Sequence, residues 1–277
     1  MNFLIRTATA VVYAAVLLFC MQKGDIWFLG LFGLCTVLAT AEFSGLANRY
    51  RQAGTSRLWS VLAALSFYIA VAMAPVQSDM TFIPFIVCVM VIFILELYRK
   101  KESPLRSMAY TLLPVLYIAL PFSLLSLLGY GIFAEGYNPA VPVALFIFLW
   151  CNDVGAYCTG CTIGRHKLFE RVSPKKTWEG SAGGAVLTVA GAVVLTKCLP
   201  DIYGAAPLRV WIGMALTVVL FGTWGDLIES LMKREMGIKD SGRILPGHGG
   251  MLDRFDSTLL AAPAVLVYFC IVMKLLK

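Results

Sequence analysis

The residues best suited to chemistry lie together in one charged, glycine-rich stretch near the C-terminus, from Lys233 to Ser257. Its sequence is KREMGIKDSGRILPGHGGMLDRFDS, and it belongs to a chain that is 59% hydrophobic. Glycines let a backbone come close to a phosphate, and neighbouring lysines and arginines balance the phosphate charge. The stretch therefore favours binding of phosphates and of a metal ion. A flexible loop that only sets the membrane topology is the alternative.

The helix predicted before this stretch carries a charged face. Its polar residues Asp226, Glu229, Ser230 and Lys233 follow the spacing i, i+3, i+4 and i+7, which places them on one side of a helix. An ion pair within the helix explains Glu229 with Lys233 but leaves Asp226, one turn deeper, without a cation. We expect Asp226 to meet a cation from elsewhere, either a loop side chain or a metal ion.

Asp253 and Asp256 form a second carboxylate pair, three residues apart, so that both would face the same way on a helix. As an alternative, Asp256 or Ser257 would be the N-cap of the last helix. Mg²⁺ takes oxygen ligands and usually combines a few carboxylates with substrate phosphates. Asp226, Asp253 and Asp256 would supply such a site if the last two membrane helices pack side by side.

A second basic segment, RVSPKKTWEGSAGG from Arg171 to Gly184, opens another predicted helix. The N–H groups at the start of a helix attract anions, and nearby lysines add positive charge. A basic membrane anchor, with Trp178 in the aromatic belt, is a compatible alternative. The candidate anion ligands are Ser173, Lys175, Lys176 and Thr177.

Ionisable residues within apolar spans are candidate functional groups, because burying a charge in lipid is costly. Glu42 in ATAEFSG fits a structural pair with a loop arginine as well as it fits a role in the site. Asp153 in LWCNDVGAY is a further candidate whose role stays open. Cys158 and Cys161 form one C-x-x-C pair, which we interpret as helix-end packing because no second pair or ligand-spaced histidine follows.

Membrane-spanning helices must position these groups. Only 14% of the residues are charged, against about 25% in a typical soluble domain, and the mean hydropathy is +0.79. Continuous apolar runs of about 20 residues predict an all-α, polytopic integral membrane protein rather than a barrel. The nine predicted spans are roughly 7–22, 25–46, 58–76, 80–98, 108–130, 139–160, 179–199, 206–232 and 257–275. We assign residues 1–135 to the N-terminal membrane helices, spans one to five, and residues 136–277 to the catalytic membrane region.

The basic residues predict the orientation. With the N-terminus in the cytoplasm, 18 of the 23 lysines and arginines fall on the cytoplasmic side, so the positive-inside rule predicts N-in and C-out. This asymmetry accounts for most of the net charge of +7, so no nucleic-acid partner is needed to explain it. Both basic segments that carry candidate residues then face the cytoplasm.

The charged stretch resembles the signature of the phosphatidate cytidylyltransferase (CDP-diacylglycerol synthase) family, S-x-x-K-R-x4-K-D-x-G-x2-[LIF]-P-x-H-G-G-x-x-D-R-x-D. The chain matches all fourteen fixed positions within 27 residues, and the resemblance extends over roughly residues 140–260. An upstream block, D-x-x-A-Y at Asp153 to Tyr157 together with SPKKTWEG, is also similar to the family. The matching residues of the signature are Ser230, Lys233, Arg234, Lys239, Asp240, Gly242, Leu245, Pro246, His248, Gly249, Gly250, Asp253, Arg254 and Asp256.

The resemblance implies a reaction in which CTP and phosphatidic acid give CDP-diacylglycerol and pyrophosphate. It implies Mg²⁺, a second, monovalent cation such as K⁺, nine membrane helices and a homodimer in the bacterial inner membrane. It assigns the metal to Asp226, Asp253 and Asp256, and phosphate binding to Lys233 and Arg234. The further substrate-binding residues that we predict are Ser173, Lys175, Lys176, Thr177, Lys239, Asp240, His248, Gly249, Gly250 and Arg254.

Two other functions stay open from the residues themselves. A CTP-dependent lipid kinase, of the dolichol or phytol kinase kind, would use similar substrates but transfer the γ-phosphoryl group. A transporter would use the buried carboxylates as an ion path, although we find no internal repeat in the sequence to favour it.

Overall fold

The structure is a computed structural model that describes residues 3–74, 79–130, 132–133, 136–242 and 249–275, without the side chains of residues 3–6, 8, 79 and 275. Helices dominate the described residues, as the continuous apolar runs predict. The helices are α1 (Phe3–Lys23), α2 (Asp25–Arg51), α3 (Arg57–Ala72), α4 (Ile83–Tyr98), α5 (Pro104–Pro114), α6 (Leu120–Leu127), α7 (Ala140–Ile163), α8 (Trp178–Cys198), α9 (Pro200–Tyr203), α10 (Leu208–Glu235) and α11 (Leu252–Leu275).

Two short irregular segments adjoin the helices of the N-terminal half. A 3₁₀ turn, Asp79–Phe82, leads into α4. A π-helical segment, Val115–Ala119, joins α5 to α6 directly after Pro114. The segment also precedes Pro121, which has no N–H to donate and whose ring crowds the preceding turn, so a wider turn accommodates that ring.

Seven helices within the described residues are long and apolar enough to cross a membrane, judged by length and composition. Two shorter apolar helices, Thr9–Lys23 and Arg57–Ala72, lie where the first and third spans are predicted. The prediction of an all-α polytopic membrane protein is confirmed, whereas the count of nine spans and the N-in orientation stay predictions. The seven long candidates are Asp25–Arg51, Met80–Tyr98, Pro104–Leu127, Ala140–Ile163, Trp178–Cys198, Leu208–Glu235 and Leu252–Lys274.

A short antiparallel hairpin lies in the segment between α7 and α8, where the sequence predicts a loop. Strand β1 (Lys167–Phe169) pairs with β2 (Ser173–Thr177), with Lys167 opposite Thr177 and Phe169 opposite Ser173. The hairpin runs directly into α8, so the basic residues of β2 are held at the start of that helix.

The described helices form two compact units. The first contains residues 1–127 and 235–255, and the second contains residues 128–234 and 256–277. An aromatic cluster fills the first unit, in which the rings of Phe32 and Phe122 lie 5.6 Å apart and those of Phe122 and Phe255 lie 5.1 Å apart. In the second unit Trp211 packs edge-on against Tyr203 at 5.0 Å. The predicted division after residue 135 stays a prediction.

The last helix begins at Leu252, five residues earlier than predicted. The carboxylate of Glu42 in α2 accepts hydrogen bonds from the backbone N–H groups of Met251 (2.9 Å) and Leu252 (3.2 Å). These N–H groups have no partner within their own helix, so a carboxylate from another helix takes the place of a local N-cap. Asp256 and Ser257 therefore lie inside α11, and the alternative that either caps the helix is wrong.

Candidate active site

Three carboxylates meet between α10 and α11 in the second unit. Asp226, Glu229 and Asp256 each offer an oxygen, and the three oxygens lie within 4.8 Å of one another. Two of these residues are predicted metal ligands. The sequence left the role of Glu229 open, although its position three residues after Asp226 on the same helix face is the signal that identifies it. Carboxylate oxygens are the donors that Mg²⁺ prefers, so this group fits a magnesium ion.

A glycine lets the two helices approach each other at this point. A Cβ added to Gly225 would lie 2.6 Å from the carbonyl oxygen of Asp256, closer than a real Cβ can come. Small residues allow such close backbone contact between membrane helices. The proposed metal site requires that the last two membrane helices pack side by side. Within this unit they do so, and the carboxylates of Asp226 and Asp256 therefore lie close together.

Two lysines neutralise the carboxylates of α10. Lys176, on β2, lies 2.5 Å from Asp226, and Lys233 pairs with Glu229 one turn along the helix. The sequence predicts both pairs: an intrahelical partner for Glu229, and for Asp226 a cation from elsewhere. The sequence leaves either a loop side chain or a metal ion as the cation beside Asp226. The structure shows a side chain, which belongs to the segment before α8.

A cavity of about 290 Å³ opens beside Asp226. One of its lining residues is Asn152, which is 4% exposed and whose Oδ1 has no hydrogen-bond partner among the described residues. The sequence singles out the neighbouring Asp153, which also lines the cavity, but not Asn152; an amide within an apolar run is the signal that could have found it. The lining residues are Asn152, Asp153, Ala156, Tyr157, Lys175, Lys176, Thr177, Gly180, Ser181, Thr223, Asp226 and Ser257.

The start of α8 forms one wall of the cavity. Thr177 is the N-cap, and its Oγ1 accepts a hydrogen bond from the N–H of Gly180 at 3.1 Å. Helices α7 and α8 are in close contact here, because a Cβ on Gly155 would lie 2.7 Å from the carbonyl oxygen of Gly183. The predicted anion ligands Lys175, Lys176 and Thr177 therefore reach the cavity together. Ser173 is not among the residues that line it.

Arg234 holds the turn of the hairpin. Its Nε donates to the carbonyl oxygen of Val172 at 3.4 Å. The predicted role of Arg234 in phosphate binding stays a prediction. Asp256 interacts electrostatically with Asp226, Asp153 and Lys233, so the charged groups of α7, α10 and α11 form one polar cluster within the second unit.

Glu42 and Asp253 bind the two described ends of the glycine-rich loop, residues 239–242 and 249–252, in the first unit. The hydroxyl of Ser241 lies between the two carboxylates, within hydrogen-bonding distance of Glu42 and of Asp253 Oδ2, which share its single proton. The same oxygen of Asp253 accepts the N–H groups of Ser241 and Gly250, both at 2.8 Å. The partners of Glu42 are therefore the hydroxyl of Ser241 and the backbone N–H groups at the start of α11. From the sequence, a loop arginine is one alternative for its partner. The predicted metal role of Asp253 stays a prediction.

Further described residues of the signature lie beside this loop. Gly249 adopts a φ of +83°, a conformation that favours glycine. Lys239 and Asp240 are exposed, and Arg254 is half-buried, with an Nε that has no hydrogen-bond partner in the described part of the chain. His248 lies outside the described residues, together with Leu245 and Pro246. The predicted substrate contacts of these residues stay predictions.

Comparison with known proteins places the chain among enzymes. The sequence profile of the Cytidylyltransferase family matches residues 4–272. The chain belongs to this family. A protein of Staphylococcus epidermidis named phosphatidate cytidylyltransferase is 31% identical over 263 residues, which cover 94% of this chain and 96% of the relative.

Two further relatives extend the same pattern. The phosphatidate cytidylyltransferases of Staphylococcus saprophyticus and Staphylococcus aureus are 31% and 30% identical over 261 and 263 residues, with the same coverage of both chains. The resemblance predicted from the signature is confirmed, and it extends to the N-terminal helices. As a cytidylyltransferase family member the chain is a nucleotidyltransferase, and its apolar helices make it an integral membrane enzyme.

Proposed function

We propose that the chain transfers CMP from CTP to phosphatidic acid, producing CDP-diacylglycerol and pyrophosphate for phospholipid synthesis. The observation that carries the proposal is the cavity beside Asp226, which combines lysines, hydroxyls and carboxylates within a membrane protein of the cytidylyltransferase family. The names of the relatives support the lipid substrate. Entry of CTP from the cytoplasm and of the lipid from within the bilayer, in a bacterial inner membrane, belongs to the same proposal.

The proposed nucleophile is a phosphate oxygen of the lipid, which attacks the α-phosphate of CTP in line with the departing pyrophosphate. A phosphomonoester has a second pKa of about 6, so near neutral pH it is already largely dianionic and needs no strong general base. The main barrier is repulsion between two anions. Lys175 and Lys176, which line the cavity, are suited to reduce that repulsion and to orient the phosphates.

The carboxylates of α10 and α11 are suited to hold a metal ion. Asp226, Glu229 and Asp256 would bind Mg²⁺ through oxygens that already lie within 4.8 Å of one another. When bound, Mg²⁺ stabilises negative charge that develops on phosphate oxygens. Asp253 as a further ligand, K⁺ as a second cation and a homodimeric enzyme remain part of the proposal.

Turnover of CTP labelled at the α- or the γ-phosphate tests the reaction, with phosphatidic acid supplied in mixed micelles, with and without Mg²⁺. The proposal predicts an α-label in the lipid and a γ-label in pyrophosphate. A γ-label in the lipid together with released CDP would instead identify a lipid kinase. Ion flux across liposomes without CTP consumption would identify a transporter.

Carboxamide variants test the assignment of the site. We expect Asp226→Asn, Asp253→Asn and Asp256→Asn each to abolish turnover while the protein remains folded in the membrane. Asp201→Asn, at an exposed carboxylate in α9, is the matched control and should leave turnover unchanged. Near-normal activity of any one of the first three variants would remove that residue from the proposed metal site.

A further inference from the structure

A second groove, separate from the cavity beside Asp226, lies on the outer surface of α10. It encloses about 280 Å³ between the hairpin and the helix. Its lining residues are apolar except for Arg171, which is exposed and has no ion pair within the described residues. The lining residues are Phe169, Arg171, Val172, Trp224, Leu227, Ile228 and Leu231.

The groove faces away from the carboxylates. At 100° per residue, Trp224, Leu227, Ile228 and Leu231 centre on the side of α10 roughly opposite to that of Asp226, Glu229 and Lys233. A molecule in the groove is therefore separated from the reacting groups by the helix itself. It is not positioned as the reacting lipid.

The chemistry of the groove selects its occupant. Trp224, on a helix that is a candidate membrane span, is 50% exposed. Phe169, on the adjacent hairpin, is 53% exposed. Exposed apolar side chains there suit an acyl chain. A guanidinium group binds phosphate with two parallel hydrogen bonds and stacks readily on aromatic rings, so Arg171, an exposed residue of the lining, suits the phosphate of the same lipid. Charge complementarity favours a lipid with a net negative charge over a zwitterionic one.

We propose that this groove is a binding site for an anionic phospholipid that is not the substrate, with its phosphate on Arg171 and an acyl chain along α10. The site has a direct connection to the proposed reaction. Arg171 precedes β2, which carries Lys176, the partner of Asp226. Arg234 also donates to the carbonyl oxygen of Val172 in the same turn. A lipid bound to Arg171 stabilises the hairpin that supplies this lysine.

Quenching of Trp224 fluorescence by brominated lipids tests the site without any turnover. The protein is reconstituted in phosphatidylcholine bilayers that contain either brominated phosphatidylglycerol or brominated phosphatidylcholine. The chain has six tryptophans, so the signal of Trp224 is obtained by difference from Trp224→Phe. We expect Trp224 to be quenched more strongly by the anionic lipid. Because one cation near a membrane surface contributes about 1 kcal/mol, that preference corresponds to about fivefold in relative affinity.

Variants of Arg171 separate this site from ordinary contact with bilayer lipid. Arg171→Gln should remove the preference, Arg171→Lys should retain most of it, and Arg165→Gln, at an exposed arginine outside the groove, should leave it unchanged. Equal quenching by both lipids, or a preference that survives Arg171→Gln, would overturn the proposal. Protection of Trp224 from both lipids, together with crosslinking between two chains at this face, would assign the groove to a second copy instead.

Discussion

Replacing Glu42 by glutamine is expected to loosen the glycine-rich loop from a distance of about 200 positions in the sequence. The carboxylate of Glu42 accepts hydrogen bonds from the hydroxyl of Ser241 and from the N–H groups of Met251 and Leu252. Glutamine has nearly the same shape but offers one acceptor oxygen and an NH₂ group. At least one of the three donors then faces another donor.

The size of the effect follows from these contacts. A hydrogen bond to a charged group contributes about 1.5–3 kcal/mol, against about 1 kcal/mol for a neutral pair, and a buried donor without a partner costs about 1–3 kcal/mol more. Because the three contacts are coupled, we expect a local loss of about 2–4 kcal/mol rather than their sum. Each 1.4 kcal/mol is tenfold, so opening of this region should become roughly 30-fold or more easier.

Hydrogen–deuterium exchange of the reconstituted protein measures this opening directly. Peptides that cover residues 239–242 and 249–252 should exchange faster in Glu42→Gln, while peptides from the middle of α7 and α10 keep their protection. Glu96→Gln is the matched control, because Glu96 is also a buried carboxylate, 5% exposed, but pairs with Arg99. It should leave the loop peptides unchanged.

The same variant tests the contribution of the loop to activity. If Asp253 and the loop take part in the reaction, Glu42→Gln should lower kcat at least tenfold, and Ser241→Ala combined with it should add less than it does alone, because both remove the same contact. Loop exchange and turnover both within twofold of the parent protein would refute the reasoning. Faster exchange throughout the protein would also contradict it, because that result indicates general destabilisation.

The remaining predictions concern the carboxylate group. Gly225→Ala should separate α10 from α11 and lower turnover strongly, because the new Cβ would lie 2.6 Å from the Asp256 carbonyl oxygen, whereas Gly30→Ala, with nothing within 4 Å, should be neutral; turnover and thermal stability of the two variants compare them. Lys176→Met should lower the free energy of unfolding by about 1–2 kcal/mol, a modest value because both partners are about a quarter to a third exposed, and adding Asp226→Asn should recover stability but not activity. Asp226→Asn and Asp256→Asn should each weaken Mn²⁺ binding at least tenfold by electron paramagnetic resonance; unchanged affinity in both would show that the ion binds elsewhere.

Helical periodicity predicts the face of α10 correctly, because i and i+3 or i+4 spacing is a property of the local backbone. The spacing alone therefore groups Asp226, Glu229 and Lys233, and it leads one to expect an external cation for Asp226. The identity of that cation does not follow from the spacing, because several lysines precede α8 and only the hairpin decides which one reaches Asp226. The hairpin is short and mostly polar, so it has no alternating pattern that would identify it.

Glu42 shows the other limit of the sequence. Its position near the end of an apolar span marks it as unusual, but its partners are mainly backbone N–H groups, which nearly every residue has and which leave no compositional trace. The early start of α11 is hidden for the same reason, since a helix capped by a remote carboxylate needs no serine or aspartate at its own N-cap. Local rules predict the elements, and long-range contacts to backbone atoms decide where they begin.

The balance of charge in the second unit supports the proposed metal ion. When ionised, Asp226, Glu229 and Asp256 carry three negative charges, and Lys176 and Lys233 return two positive ones. Asp153 and Lys175 also line the cavity and add one formal charge of each sign, so the sum is one negative charge where charge is expensive to bury. A bound monovalent cation would make the net charge of the site zero. A bound divalent cation would make it positive and therefore attractive to a phosphate. Removing one positive charge from this cluster strengthens its attraction for a cation, so Lys176→Met should increase the affinity for Mn²⁺ even as it lowers turnover.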